Sequence, residues 1–373
     1  MNNNIRVGNL FGIPFYVNPS WFLVLALVTW VYGSQLQNFS QLVGVTPWLL
    51  GLVAALLLFS SVLAHELGHS FVAIKQGIKV NSITLFIFGG LASLEEDSKT
   101  PGEAFSVAIA GPVVSLILFG LFTFLNVTLP FSPPLSAVVG LLATVNLILA
   151  LFNMIPGLPL DGGNVLKSIV WKITGNQYRG VFIASIVGQF IGWSAIALGV
   201  ASVFGLTQFG SLWTALIGFF LLQNAGRSAQ SATIQDKLSR FTAEEAVSKN
   251  SPVVAADLNI REFVNEYVIG KGQWSKFLVI DEEGKLIGQL NVDDLKIIPT
   301  SEWTEKSVRE LTQPQQVNSV KPKQTLLEVV MMFEKSKESE VAVIGDNGVV
   351  VGLVEKSGIA NFLEEHKEEL KAA

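Results

Sequence analysis

The stretch Ala64-His65-Glu66-Leu67-Gly68-His69 decides how this chain is read. It closes an apolar run that begins near Trp48 and passes through Leu50, Val53, Leu56, Phe59 and Leu63, which sets H-E-x-x-H inside a membrane-spanning pattern. On a helix, residues four apart share a face. His65 and His69 can therefore turn ring nitrogens toward one metal ion with Glu66 beside them. Zinc held by two imidazoles and one further ligand keeps a position for water, lowers its pKa to about 7, and lets a nearby carboxylate take its proton. His65 and His69 are the candidate ligands and Glu66 the candidate base. An ionisable residue at the centre of a transmembrane helix costs about 3 kcal/mol by insertion scales, so three so close together require a partner such as a metal.

Composition supports a membrane setting. The chain has 373 residues, 50% hydrophobic and 15% charged, with 33 Gly and 25 Phe. Ionisable residues are sparse over residues 1–235 and dense after Asp236, which divides the chain into a membrane domain (1–235) and a soluble one. The formal net charge of −5 is carried without a basic block, which argues against nucleic acid as a partner. With no cysteine there are no disulfides and no thiolate ligands. Pro14, Asn18 and Pro19 interrupt the N-terminal apolar stretch, and no small-residue cleavage pattern follows, so no signal peptide is expected.

Taken in order, Ile5 through Asn18 suit a short strand pair at the membrane surface. Six spans are expected, at about 20–32, 47–74, 103–127, 135–155, 181–204 and 209–222. Lysine and arginine fall only in alternate connections, at Arg6, at Lys75, Lys79 and Lys99, at Lys167, Lys172 and Arg179, and from Arg227 onward. By the positive-inside rule both termini are cytoplasmic. Counting back from Lys75 at 1.5 Å per residue puts His69 roughly 9 Å and His65 roughly 15 Å below the cytoplasmic surface. Val80 to Leu94, β-branched and aromatic with a Gly89-Gly90 pair, is too short for a span. It reads either as a plain hairpin or as an open strand edge that pairs with an unwound substrate.

The fourth span ends in Asn153-Met154-Ile155-Pro156-Gly157-Leu158-Pro159-Leu160-Asp161-Gly162-Gly163, where prolines and glycines are expected to break the helix. Irregular backbone at membrane depth is tolerated where protein buries it or it lines a watery cavity, so this turn should face the site. Asp161 is the sole acid between Glu103 and Asp236 and is the natural third ligand. The alternative, His366, sits in a charged C-terminal stretch. Beyond Asp236 the segment 277–288 returns in looser form as 341–352, which marks two copies of one α/β unit, 236–300 and 301–373.

These features together resemble the site-2 protease family of intramembrane zinc metalloproteases, in the branch with a tandem pair of CBS domains. The resemblance implies a polytopic α-helical membrane domain of about six helices with a small membrane-associated β element, followed by a soluble α/β CBS pair. It implies that His65, His69 and Asp161 bind zinc, that Glu66 activates water, that Asn153 helps hold the substrate, and that the Gly89-Gly90 strand pairs with it. Ala110-Gly111-Pro112 also follows the family pattern and reads as helix packing. The implied substrate is a single-span protein of the cell membrane, already shortened by an upstream site-1-type protease, such as an anti-sigma factor or a membrane-tethered transcription regulator. For the CBS pair the resemblance implies an adenine nucleotide and a role in dimerisation. The first copy, with Gly288 and Asp294, keeps the nucleotide pattern better than the second, which has Glu355 and Gly358. A CBS-regulated transporter or channel is the competing reading. Transporters usually spread charges over several helices, whereas here acids and histidines within the spans are confined to the zinc candidates.

Overall fold

In the computed structural model the described residues are 4–87, 89–248, 250–269, 274–313, 317–336 and 338–366. They form two compact units, Met1–Thr233 and Ile234–Ala373. In the first, β1 (Ile5–Leu10) and β2 (Ile13–Val17) form an antiparallel hairpin ahead of α1 (Ser20–Leu36) and α2 (Thr46–Lys75). After α2 come β3 (Val80–Phe86) and β4 (Gly89–Leu94), also antiparallel. The two expected strand pairs are one sheet. β2 runs parallel to β3 with Phe15 opposite Ile83, giving the order β1-β2-β3-β4 and leaving β4 at an edge.

The sheet buries Ile13, Val80 and Ile83 against Ala73 and Ile78, with Leu63 and Leu67 of α2 packed on them. This sets the rotation of α2. Residues 63 and 67 face the sheet, which leaves the stripe of His65 and His69 for the opposite neighbour.

That neighbour is α3 (Pro101–Thr128). Its start is fixed by Pro101 in the first turn and by a capping box, in which Thr100 Oγ1 accepts from Glu103 N at 3.3 Å and Glu103 Oε2 accepts from Thr100 N at 3.2 Å. Gly68 lets α2 and α3 approach closely, since a Cβ there would stand 3.0 Å from the Ala110 carbonyl oxygen.

The remaining helices of this unit are α4 (Pro133–Asn153), α5 (Asp161–Thr174), α6 (Gln177–Val203) and α7 (Leu212–Ser239). Among the described residues α2, α3, α4 and α6 are long and apolar enough to cross a membrane. The first and last expected spans differ from that pattern. α1 is apolar but has 17 residues, and α7 continues past its apolar half at Leu222 into Gln223, Asn224 and Arg227.

The break after α4 is shorter than expected. The chain is irregular over 154–160, but Asp161 opens the 14-residue α5, with Gly162 and Gly163 inside its first turn. The glycines are there because the helix start packs on the preceding loop. A Cβ on Gly162 would strike the Met154 and Ile155 carbonyls, and one on Gly163 would strike the Leu158 amide. Leu158 N–H donates to Ala184 O of α6 at 3.1 Å, so the loop's polar backbone is buried in protein.

The second unit holds β5 (Val253–Ala255), α8 (Ile260–Phe263), β6 (Lys276–Ile280), β7 (Leu286–Asn291), α9 (Val308–Leu311), β8 (Ser319–Val320), α10 (Leu326–Ser336), β9 (Glu340–Ile344), β10 (Val350–Glu355) and α11 (Lys356–Glu365). It contains two three-stranded sheets, β5-β6-β7 and β10-β9-β8. In each, one outer strand is parallel and the other antiparallel to the middle one. Gly284 and Gly348, at φ of 77° and 83°, make the equivalent turns that side chains would strain. One core gathers Ile260, Phe263, Phe277 and Leu290. The other gathers Leu326, Phe333, Val341 and Val354 and also takes in Leu238 and Ala243, from the start of the segment assigned to the first copy.

Candidate metal centre and active site

Three donor atoms converge where α2, α3 and the start of α5 meet. His65 Nε2 lies 3.1 Å from Asp161 Oδ2, His69 Nε2 lies 3.3 Å from the same oxygen, and the two Nε2 atoms are 3.2 Å apart. His65 is 3% exposed and the side chains of His69 and Asp161 are 12% and 18% exposed. Among the described residues this is the cluster that could hold a metal ion.

The partners of the opposite nitrogens favour one tautomer. His69 Nδ1 stands 2.7 Å from the Val107 carbonyl, which only accepts, so Nδ1 carries a hydrogen and the neutral ring presents the Nε2 lone pair. His65 Nδ1 stands 2.9 Å from Ser115 Oγ, which can accept in the same way. Two imidazole lone pairs and a carboxylate oxygen in mutual contact repel one another unless a cation lies among them. For ligands about 2.0–2.1 Å from zinc, the edge of a tetrahedron is about 3.3 Å, which the three separations match. The donor set fits zinc. Hydrogen bonds to the outer ring nitrogens orient such ligands and raise their basicity.

Gly111 fits the same reading and corrects the packing role expected for it. Its backbone lies directly under the rings, where a Cβ would strike His69 and would stand 2.7 Å from His65 Nε2. Gly90 of β4 stands in the same relation to Glu66, since a Cβ there would lie 3.0 Å from Oε1. The missing side chain lets the Glu66 carboxylate lie against the backbone of the edge strand.

These groups share a cavity of about 290 Å³ lined by His65, Glu66, His69, Gly90, Ala92, Leu94, Asn153 and Asp161. Asn153 is the last residue of α4, and its amide donates to Leu149 O at 3.0 Å. Gly89 begins β4 at φ 134° and is not among the lining residues. Four participants were missed by sequence reasoning: Ser115 and the Val107 carbonyl, which hold the rings, and Asn164 and Lys167 of α5, which line the cavity. Ser115 had a signal, four residues after Gly111 and so on one face of α3. Asn164 and Lys167 had none until α5 was known to be a helix.

His366 belongs to the second unit, with Nδ1 2.9 Å from Phe362 O and its ring 4.2 Å from that of Phe362. Asp294 also lies there. Its Oδ2 accepts from Asn291 N, Asn291 Nδ2 and Gln313 Nε2 at 3.4, 3.3 and 3.1 Å, so its own chain occupies the carboxylate. A cavity of about 420 Å³ in that unit is lined by Lys276 and Gln289 of the first copy and Asn318, Glu338 and Glu340 of the second.

Residues 53–140 and 131–195 match the profile of Peptidase family M50, and residues 308–365 match that of the CBS domain. A Synechocystis sp. protein named "Putative zinc metalloprotease sll0528" is 59% identical over 365 residues, covering 98% of this chain and 96% of its own. The Mycobacterium tuberculosis protein named "Putative zinc metalloprotease Rip3" is 31% identical over 372 residues, covering 98% and 94%. Among solved structures, the site-2 protease from Methanocaldococcus jannaschii is 27% identical, covers 61% of this chain and 95% of its own, and has a TM-score of 0.45. The chain belongs to peptidase family M50, the site-2 protease family. It is a membrane zinc metalloprotease with a CBS domain, from a family that acts on membrane proteins.

Proposed function

We propose that this protease cuts single-span proteins of the cell membrane within the bilayer, as the second cut after an upstream protease has shortened their outer part. One observation carries the reading. Glu66, next to the first zinc-site histidine, lies against Gly90 on the one edge of the sheet that borders the cavity. A substrate strand added to β4 would reach the base and the donor cluster together. A helical substrate has its amides bonded internally, so it must unwind locally to pair there.

His65, His69 and Asp161 would hold the zinc, which when bound supplies an acidified water and a polarised carbonyl. Glu66 takes the proton from the attacking water and returns it to the leaving nitrogen. The backbone of β4 pairs with the extended substrate and fixes its register, and Asn153 holds its backbone from the α4 side. Protein packed round the loop after α4 restricts water to the cavity. Lysine and arginine placement supports cytoplasmic termini, so release of an anti-sigma factor or a tethered transcription regulator into the cytoplasm is the expected outcome. The CBS pair, with no residue in this chemistry, tunes access or assembly. Adenine nucleotide is its candidate ligand and dimerisation its candidate role.

The test is purified protein in detergent with a model single-span substrate, with and without a zinc chelator, beside Glu66→Gln. Cleavage should require zinc, and Glu66→Gln should retain the metal while losing about 10²–10⁴ in rate. Zinc lost from Glu66→Gln, or cleavage within about tenfold of wild type, would remove Glu66 from its role as base.

A further inference from the structure

The active-site cavity holds two charged side chains outside the zinc-site cluster and its base, Lys167 and Asp97. Lys167 is half-buried and has no hydrogen-bond or ion-pair partner among the described residues, whereas Asp97 is exposed. Asp97 lines the same cavity but forms no ion pair with Lys167, so the ammonium is open to an acidic ligand. The exposed Asp97 is screened by water and exerts less pull of its own. The donor Asp161, Asn164 and Lys167 lie on one turn and a half of α5, all lining the same space.

From this we infer that Lys167 is a specificity-determining residue that selects substrates with an acidic side chain near the scissile bond, on the side facing the cavity mouth. The inference rests on the proposed cleavage of a strand held on β4. Distance sets the position. Lys167 is six residues beyond Asp161, roughly 9 Å along α5, and an extended strand covers that in about three residues. The acid therefore sits about three residues from the bond that is cut. A hydrogen bond between ammonium and carboxylate is stronger than one between neutral groups, and a lysine facing the same wall meets like charge. Asn164, between Asp161 and Lys167 in sequence, is placed to hydrogen-bond the backbone of the same segment.

Binding without turnover tests this. Full-length Glu66→Gln in detergent is titrated with fluorescent single-span substrates that carry Glu, Gln or Lys at the second, third or fourth residue from the cut. Glu should bind tightest and Lys weakest, with on the order of tenfold between them at the best position. Adding Lys167→Glu should reverse that order, and the milder Lys167→Gln should level it. The same order in all three proteins, or no dependence on substrate charge, would overturn the assignment. Ordered binding that reverses with Lys167→Glu, together with no cleavage of any substrate by zinc-loaded wild type, would retain the Lys167 assignment as a binding preference and overturn the proposal that single-span proteins are cut on β4. Absence of binding by every substrate would overturn both.

Discussion

Among the described residues, the buried polar or charged residues are Ser61, His65, Ser70, Ser115, Asn146, Ser168 and Ser185, all in the membrane unit, while the core clusters of the C-terminal unit gather apolar residues. The half that faces lipid is the one that hides polar atoms. Lipid satisfies no hydrogen bond, so each of these groups needs a partner inside the protein or stands as a cost. Several partners lead to the metal centre. Ser115 holds His65, and one turn before His65 the Ser61 hydroxyl, 3.1 Å from Asn146 Nδ2, continues the same face of α2 toward α4. Ser61, His65 and His69 form a polar stripe at four-residue spacing on a helix that is mostly apolar. The C-terminal unit shows the opposite order. Its charged groups stand outside the core clusters, many of them on α8, α10 and α11.

Asp161→Ala should break that contrast most, since it removes the charged donor and leaves two ring nitrogens facing each other. Zinc content in dialysed protein should fall to background while helix content by circular dichroism stays near wild type. His366→Ala, in the C-terminal unit, should keep its zinc. Retained zinc in Asp161→Ala, or lost zinc in His366→Ala, would move the third ligand.

Gly111→Ala comes next. Its methyl would occupy the space of both rings, so zinc and activity should be lost although the change is one carbon. The counterpart is Gly284→Ala, at a positive-φ turn of the C-terminal unit, which should cost about 1 kcal/mol of that unit's stability and leave zinc intact. Metal analysis and denaturant melts of the two variants compare them directly. A Gly111→Ala protein with full zinc occupancy would return Gly111 to simple packing.

A smaller effect is expected from Ser115→Ala. With the hydroxyl gone, His65 Nδ1 has no acceptor at that position, and loss of such an outer partner typically lowers metal affinity 10- to 100-fold. Competition with a zinc-binding dye measures this, and Ser115→Thr should restore much of the affinity. An unchanged dissociation constant in Ser115→Ala would show that His65 is oriented by packing alone.

How much of this was legible in the sequence follows the same division. In apolar helices an ionisable residue stands out, so His65, Glu66, His69 and Asp161 could be picked by rarity and spacing, and the structure brings them to one cavity. The parts that escaped are relations between distant backbones. Nothing local announces that β2 pairs parallel with β3 across α1 and α2. The Gly162-Gly163 pair looked like a helix breaker because glycine usually is one. Here close contact with the 154–158 backbone requires glycine, and the helix forms around it. Gly111 was misassigned for a related reason, since a glycine beside a partner helix and one beneath two imidazole rings leave the same mark in sequence. In the C-terminal unit the repeat was visible from its strands and glycine turns. That Leu238 and Ala243, at the start of the first copy, pack into the core of the second had no signal.

The smallest expected effect lies wholly in the C-terminal unit and concerns pH. Glu340 on β9 stands directly opposite Glu355 on β10, and its carboxyl pKa is raised, first by partial burial and then by the Glu355 charge, with Lys276 pulling the other way. In the unfolded chain the group returns to its ordinary value. Between that value and the raised one the folded state holds more protons than the unfolded state, so stability falls as pH rises through this window and stays at the lower level above it. Glu340→Gln cannot ionise. It should raise the unfolding midpoint of residues 234–373 at neutral pH and flatten its slope across the window, while Glu355→Gln should narrow the window by removing the second cause. The Glu340 side chain keeps substantial exposure, which holds the effect small and sensitive to salt. Denaturant midpoints for wild type and both variants, compared pH by pH so that other carboxylates cancel, measure it. A wild type and a Glu340→Gln variant with parallel pH profiles would show that water relieves the crowding at this strand pair.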